Sequence, residues 1–467
     1  MLAIVLLKTT LEAATCTQWA SSQGSGSTCS KETPCTIGTF LSTHAKPGAT
    51  VCLADGVYKG DTQMLNFTPA HNGKEGQPIT VQAENDGKAL IDGQFGRRPF
   101  DCNGSYITIQ GIDFSDGNDT TVVLRGSHCI AQRFVAWSTQ YNDGIENIID
   151  IGGSYNLVED FGAFGYARKT LAMGARGGNG PNTARRGWVE FNGSMPGSAQ
   201  GNPTNPAEIG YGQNNVTMEN IFARRNIFSQ ATEPEAPFMV FSTHGSALLG
   251  SIAYATIQDH IEPNITMLDV YPDAGSHAGS GHVTSNTLLR DIIIFADNIH
   301  PNIVGYTIRG GSGSTGNIAR NIIAITPKGV GTCTGSGWEC TNMIKGSNLT
   351  AALGEKTLVE TAPGVCKRVV NRQVTEESLW PFPMRQRIID ALFYARQPTG
   401  PVTYHAAKLL DEIATACGIL PQPPIVPPIT PQPPTVHQPL NCVGELGAEG
   451  KIQLKCLPAV TRGYEIP

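Results

Sequence analysis

A short apolar alternation, a small or polar corner and a second apolar alternation recur through the middle of the chain. Ser105–Phe114, Ser127–Ala136 and Ser154–Ala163 carry the pattern, and Asn214–Ala223, Ser285–Ile294 and Thr315–Ala324 repeat it. The first steps are 22 and 27 residues, inside the solenoid range. Alternation with period two places every second side chain on one face of a strand. One such coil has nothing to bury that face against, whereas stacked coils share a continuous core. Asn and Gly at the corners suit left-handed or tight turns. The pattern predicts an all-β fold, a single-stranded right-handed parallel β-helix. A sandwich would show hairpin signals every 8–12 residues or so, and Asn-Gly and Asp-Gly pairs are irregular here.

The two ends of the chain read differently. Leu2–Leu7 is apolar and is followed by Lys8 and Glu12-Ala-Ala14, which reads as a secretion signal over residues 1–14. Pro34–Lys46 predicts a short helix plugging the N-terminal end of the core, within a β-helix spanning 15–326. Residues 327–420 read as an irregular region with a Cys333/Cys340 loop, then a helical hairpin over Glu376–Gly418. Met384–Arg396 and Tyr404–Cys417 have helical apolar spacing, and Pro398-Thr-Gly-Pro401 separates them. This C-terminal helical appendage is expected to cover an end or flank of the solenoid, since an open end exposes strand edges. Residues 421–439 are a Pro-rich linker, and 440–467 a tail with a Cys442–Cys456 hairpin as one option.

Composition narrows the function. Lys and Arg number 33 against 39 Asp and Glu, a net charge of −6, which argues against nucleic acid as a partner. No apolar run approaches a membrane span. The 12 cysteines contain no Cys-x-x-Cys, so disulfides in an oxidising compartment are expected rather than zinc or thioredoxin chemistry. Expected pairs are Cys333–Cys340, Cys366–Cys417 and Cys442–Cys456, with the rest near the N-terminus.

Residues Pro47–Gly60, Gln77–Ala83, Ala89–Gly93 and Tyr106–Phe114 resemble the opening coils of secreted polysaccharide lyases, closest to the chondroitinase B and alginate lyase family. Leu379-Trp-Pro-Phe-Pro-Met384 resembles the tail of secreted β-helix proteins of unknown role. The first resemblance covers Pro34 to Gly117, under a fifth of the chain, and implies the fold. The family's catalytic Lys and Arg and its Ca²⁺-ligating Asn/Glu segment have no clear counterpart. Asn205-Pro-Ala-Glu208-Ile-Gly210 is a faint echo of that segment.

The candidate chemistry comes from charge segregation. Asn142–Asp160 holds Asp143, Glu146, Asp150, Glu159 and Asp160 and no cation, and Ala167–Gly187 holds Arg168, Lys169, Arg176, Arg185 and Arg186 and no acid. Segments one coil apart stack, so an acidic ledge is expected beside a basic one. Uronate β-elimination needs such a pairing: a cation such as Ca²⁺ neutralises the sugar carboxylate, and a Lys or Arg takes the neighbouring proton or steadies the charge. The expected catalytic residues are Lys169, Arg176 and Arg186. Substrate-binding residues are Arg168, Arg185 and an exposed Trp188, and Ca²⁺ ligands Asp143, Glu146 and Asp160. Simple ion pairs between coils are the competing reading. Asp113-x-x-Asp116-x-x-Asp119, and His277 with His282 near Asp273, are weaker metal candidates. Together these residues predict a secreted, extracellular or periplasmic monomer that depolymerises an acidic polysaccharide. A non-catalytic glycan-binding protein and a glycoside hydrolase are the alternatives.

Overall fold

The computed structural model describes residues 15–140, 146–174, 180–194, 204–226, 236–255, 264–272, 283–296 and 301–346. Beyond these it describes Arg387, Ile388 and the backbone of five further strands. The expected signal segment therefore lies outside the described residues.

Among the described residues the solenoid has two long parallel sheets, one of ten strands and one of seventeen. In the ten-stranded sheet Asn147–Ile151 pairs with Lys169–Met173, which pairs with Asn205–Ile209, then Phe238–Phe241, Thr266–Tyr271 and Val304–Arg309. Alternation sends Ile149, Leu171, Ala207, Phe238, Leu268 and Tyr306 into the core as one in-register column. The seventeen-stranded sheet bends at a corner in every coil. On successive coils Gly111, Arg133, Asp160, Arg186, Asn220, Gly250, Asp291, Asn321 and Asn342 all have positive φ, between 51° and 75°. This is the polar corner seen in the sequence repeat, including positions where it is an Arg or Asp.

Inside the corner, Phe114, Phe134 and Phe161 form a ring column with centroids 5.8 Å apart at each step. Gly187 ends the column of large residues, because a Cβ there would lie 2.2 Å from Phe161 Cζ. Outside the core, Gln82, Gln110 and Gln132 stack as an amide ladder, hydrogen-bonded at 2.5 and 2.8 Å. The expected N-terminal plug is present as Ile37–Thr39 and Phe40–His44, with Ile37 and Phe40 buried and the Thr36 hydroxyl accepting from Thr39 N–H at 3.0 Å.

The solenoid runs further than the repeats suggested. Gly329–Thr334 and Trp338–Lys345 extend both sheets by parallel pairing, so the stretch after Pro327 is another coil rather than irregular chain. Strands Lys169–Met173, Asn182–Phe191 and Asn205–Ile209 carry the coils through the middle of the chain. Among the described residues the disulfides are Cys16–Cys52, Cys29–Cys35, Cys102–Cys129 and Cys333–Cys340, a usage that favours an extracytoplasmic protein.

Leu358–Ala362, Val365–Val370 and Gln373–Ser378 form a small antiparallel sheet, so residues 376–378 are strand rather than the start of a helix. Of the expected helical hairpin only Arg387 and Ile388 are described, in helical conformation. Arg387 pairs with Asp113 and Asp86, and Ile388 packs where a Cβ on Gly162 would sit 3.0 Å from it. These two residues thus lie on the flank of the solenoid. Pro421–Pro467 is a separate compact unit. Within it Leu440–Leu446 and Ile452–Pro458 form an antiparallel hairpin with Cys442 opposite Cys456. Among the described residues no helix is long and apolar enough to cross a membrane.

Candidate functional site on the ten-stranded sheet

Three coils present the same short pattern at the same height: Asn147-Ile-Ile-Asp150, Lys169-Thr-Leu-Ala172 and Asn205-Pro-Ala-Glu208. Ile149, Leu171 and Ala207 point inward, so Asp150, Ala172 and Glu208 form a column on the outer face. Within its own coil each Asn holds the acid three residues on. Asn147 Nδ2 donates to Asp150 Oδ2 and Asn205 Nδ2 to Glu208 Oε2, both at 3.1 Å. The middle coil has Lys169 in place of the Asn and Ala172 in place of the acid. Lys169 therefore reaches across to the next coil and pairs with Glu208. Both side chains are buried, with exposures of 0% and 1%.

Tyr211 completes the group. Lys169 Nζ donates to its hydroxyl at 2.8 Å and lies 4.4 Å from its ring centroid. Arg168 Nη2 donates to the same oxygen at 3.2 Å. Tyr211 is only partly buried, and its ring meets Phe241 edge-on at 5.1 Å. Phe241 stacks on Tyr271, and Arg309 lies 5.3 Å from the Tyr271 ring while bound to both oxygens of Asp269. Burial is the main force raising the Asp269 pKa, and Arg309 opposes it.

The sequence-derived candidates divide. Lys169, Arg168 and Glu146 belong to this sheet: Arg168 N–H and Lys169 N–H both donate to the Glu146 carbonyl, and the Glu146 side chain is buried. Arg185, Arg186 and Asp160 lie on the other sheet. There the acidic and basic ledges do stack one coil apart, with Glu159 in register with Arg185, but they pair with each other. Arg185 Nη2 and Arg186 Nη2 both reach Glu159 Oε2 at 2.7 Å, and Arg186 Nε reaches Asp160 Oδ1 at 2.6 Å. Burial opposes the charge on Arg186, but the hydrogen bond and charge of Asp160 overcome it, so the guanidinium pKa is raised.

Trp188 is a correction. It is fully buried, stacked on Phe222 at 4.3 Å, in an outer apolar strip that continues through Ile252, Ile293 and Ile323. It offers no face to a sugar. Arg176 and Asp143 lie outside the described residues, as do Asp273, His277 and His282. Of the expected Ca²⁺ ligands, Asp160 is held by Arg186 on a different sheet from Glu146, and Asp143 lies outside the described residues. Among the described residues no three His, Cys, Asp or Glu side chains are grouped to hold a metal. Sequence reasoning missed Tyr211, Asn147 and the pairing role of Glu208. The signal was available as the aligned Asn-x-x-acid pattern, interrupted in the Lys169 coil.

Residues 40–145 match the model of the Chondroitinase B family. Pectate lyase L of Dickeya chrysanthemi is 32% identical over 134 residues, which is 26% of this chain and 30% of that protein. Residues 40–145 are thus chondroitinase B-like, within a chain whose long parallel sheets form a β-helix. Among solved structures, the pectate lyase Pel9A is similar at 16% identity and a TM-score of 0.44, over 71% of this chain and 79% of that one. A mannuronic acid specific family 6 lyase from human gut microbiota is similar at 16% identity and a TM-score of 0.40, over 65% of this chain and 64% of that one. The chain matches less than a third of the length of Pectate lyase L. The chondroitinase B family match ends at residue 145, before the coil that carries Lys169.

Proposed function

We propose that this protein is a secreted lyase that cleaves a uronate-containing acidic polysaccharide by β-elimination at the Lys169 site. The observation that carries the reading is the buried Lys169, held between Glu208 and Tyr211 on the outer face of the ten-stranded sheet. β-Elimination removes the proton beside the uronate carboxylate and builds up negative charge on that group. A cation already fixed by a carboxylate and a phenol needs no reorganisation to stabilise such charge. Arg168, whose guanidinium also reaches Tyr211, is the planar donor suited to a sugar carboxylate. The family match and the pectate lyase relative support an acidic glycan as substrate.

A glycoside hydrolase has one observation in its favour. Asp150 and Glu208 are two coil spacings apart with only Ala172 between them, roughly 9.5 Å at the backbone, near the span of an inverting carboxylate pair. Against it, both Glu208 oxygens are engaged, one by Lys169 and the other by Asn205, and the side chain is buried. Incubation with pectins, alginates and glycosaminoglycans separates the readings. The lyase produces ultraviolet-absorbing unsaturated uronate ends that Lys169→Met abolishes. New reducing ends without that absorbance would favour the hydrolase, and binding without either product the non-catalytic protein.

A further inference from the structure

We infer that the Tyr211 hydroxyl, rather than the Lys169 amine, is the group that meets the sugar and moves the proton; the inference rests on the lyase reading above. Lys169 is fully buried, and its Nζ is engaged by Glu208 and by Tyr211. An ammonium paired to a buried carboxylate gives up its proton reluctantly, because the pair would be left with an uncompensated charge. Tyr211 differs in both respects. It is partly exposed, and its oxygen receives two cationic donors, Lys169 Nζ at 2.8 Å and Arg168 Nη2 at 3.2 Å. Donors of that kind favour the form in which the oxygen carries negative charge.

The backbone positions the ring. Tyr211 has φ 57°, the left-handed conformation that corner residues of this solenoid commonly adopt. Its neighbours make the conformation attainable. A Cβ on Gly210 would lie 2.4 Å from Phe241 Cζ, so glycine there lets the Phe241 ring pack beside Tyr211. Gly212, with φ 79°, donates its N–H to the Ser242 carbonyl at 2.8 Å and fixes the turn. The ring is thus held edge-on to Phe241 with its oxygen at the two cations.

In the reaction the phenolate oxygen takes the proton from the carbon beside the uronate carboxylate. The O–H bond forms as that C–H bond breaks, its electron pair becomes the C=C bond, and the neighbouring C–O glycosidic bond breaks. The leaving oxygen takes the same proton back from the phenol. Tyr211 ends as it began, and no further reactant is consumed.

Tyr211→Phe keeps the ring and the flanking glycines and removes only the oxygen. Turnover is expected to fall by about 100-fold or more, with KM changed far less. The phenolate absorbance lost in Tyr211→Phe relative to wild type is expected to titrate well below the ordinary tyrosine value of about 10, and Arg168→Gln to move that titration upward. Wild-type turnover in Tyr211→Phe, or a difference that titrates at or above about 10, overturns the inference. If the wild type yields no unsaturated product from any uronate glycan, the lyase reading falls, and the titration still decides whether Tyr211 is the ionised group.

Discussion

Of the cation–carboxylate groups that bridge neighbouring coils of this solenoid, two behave differently. On the seventeen-stranded sheet Glu159 and Asp160 meet Arg185 and Arg186, with Arg185 still 30% exposed. On the ten-stranded sheet Lys169 meets Glu208 with neither exposed, and a phenol shares the amine. The order along the chain differs: at the corner the acids precede the cations by one coil, whereas Lys169 precedes its acid Glu208. The corner group occupies positions of a backbone ladder whose other members include Gly111, Asn220 and Asn321, so its members are set by the turn. Their charges cancel locally at a rim where water is available. The Lys169 group sits on a flat strand face, where an ammonium is retained only because specific partners hold it. Charge segregation along the chain therefore predicts cross-coil pairing, and the phenol shared by Lys169 is the feature of this pair that bears on chemistry.

The comparison can be broken in four ways. Lys169→Met leaves Glu208 buried without its partner and is expected to cost about 3–5 kcal/mol of stability by denaturant unfolding. It should also abolish product formation, and wild-type stability in this variant would refute the pairing. Tyr211→Phe is expected to lower turnover by about 100-fold or more with only a small change in unfolding midpoint. Arg186→Gln should cost about 1 kcal/mol and leave turnover unchanged, so a large kinetic effect would move the site to the corner.

The smallest effect concerns carboxylates in the early coils. Burial first, then the charge of Asp92, raises the Asp116 pKa from 3.8 to about 6. The folded state then holds an extra proton between those values. Its stabilising contribution is full below about 4 and is lost as pH rises through about 6. Asp116→Asn should flatten the stability profile across that window, and an unchanged profile would refute the shift.

The fold was largely legible in the sequence because its repeat is local: alternation fixes the faces of each strand, and the polar corner fixes the bend. The N-terminal plug and the Cys333–Cys340 pair were readable for the same reason. The last coil, Gly329–Lys345, was not, since its strands carry Gly, Thr and Asn where earlier coils carry Ile and Val. Lys169 was legible as a cation facing an acidic neighbour. Arg186 and Asp160 were misassigned because corner residues and site residues look alike without knowledge of the turn. Trp188 was misjudged because an outer strand position reads as solvent-facing, whereas here it joins an apolar strip. Glu208 and Tyr211 act on Lys169 from the following coil, about 40 residues away, a relation visible only once the coils are in register.

The most direct test is the ultraviolet absorbance of unsaturated uronate product, followed for the wild type, Lys169→Met and the Arg185→Gln/Arg186→Gln double variant across pectins, alginates and glycosaminoglycans. The account predicts product from the wild type and the double variant on the same glycan, and none from Lys169→Met. Product lost in the double variant and kept in Lys169→Met would contradict it.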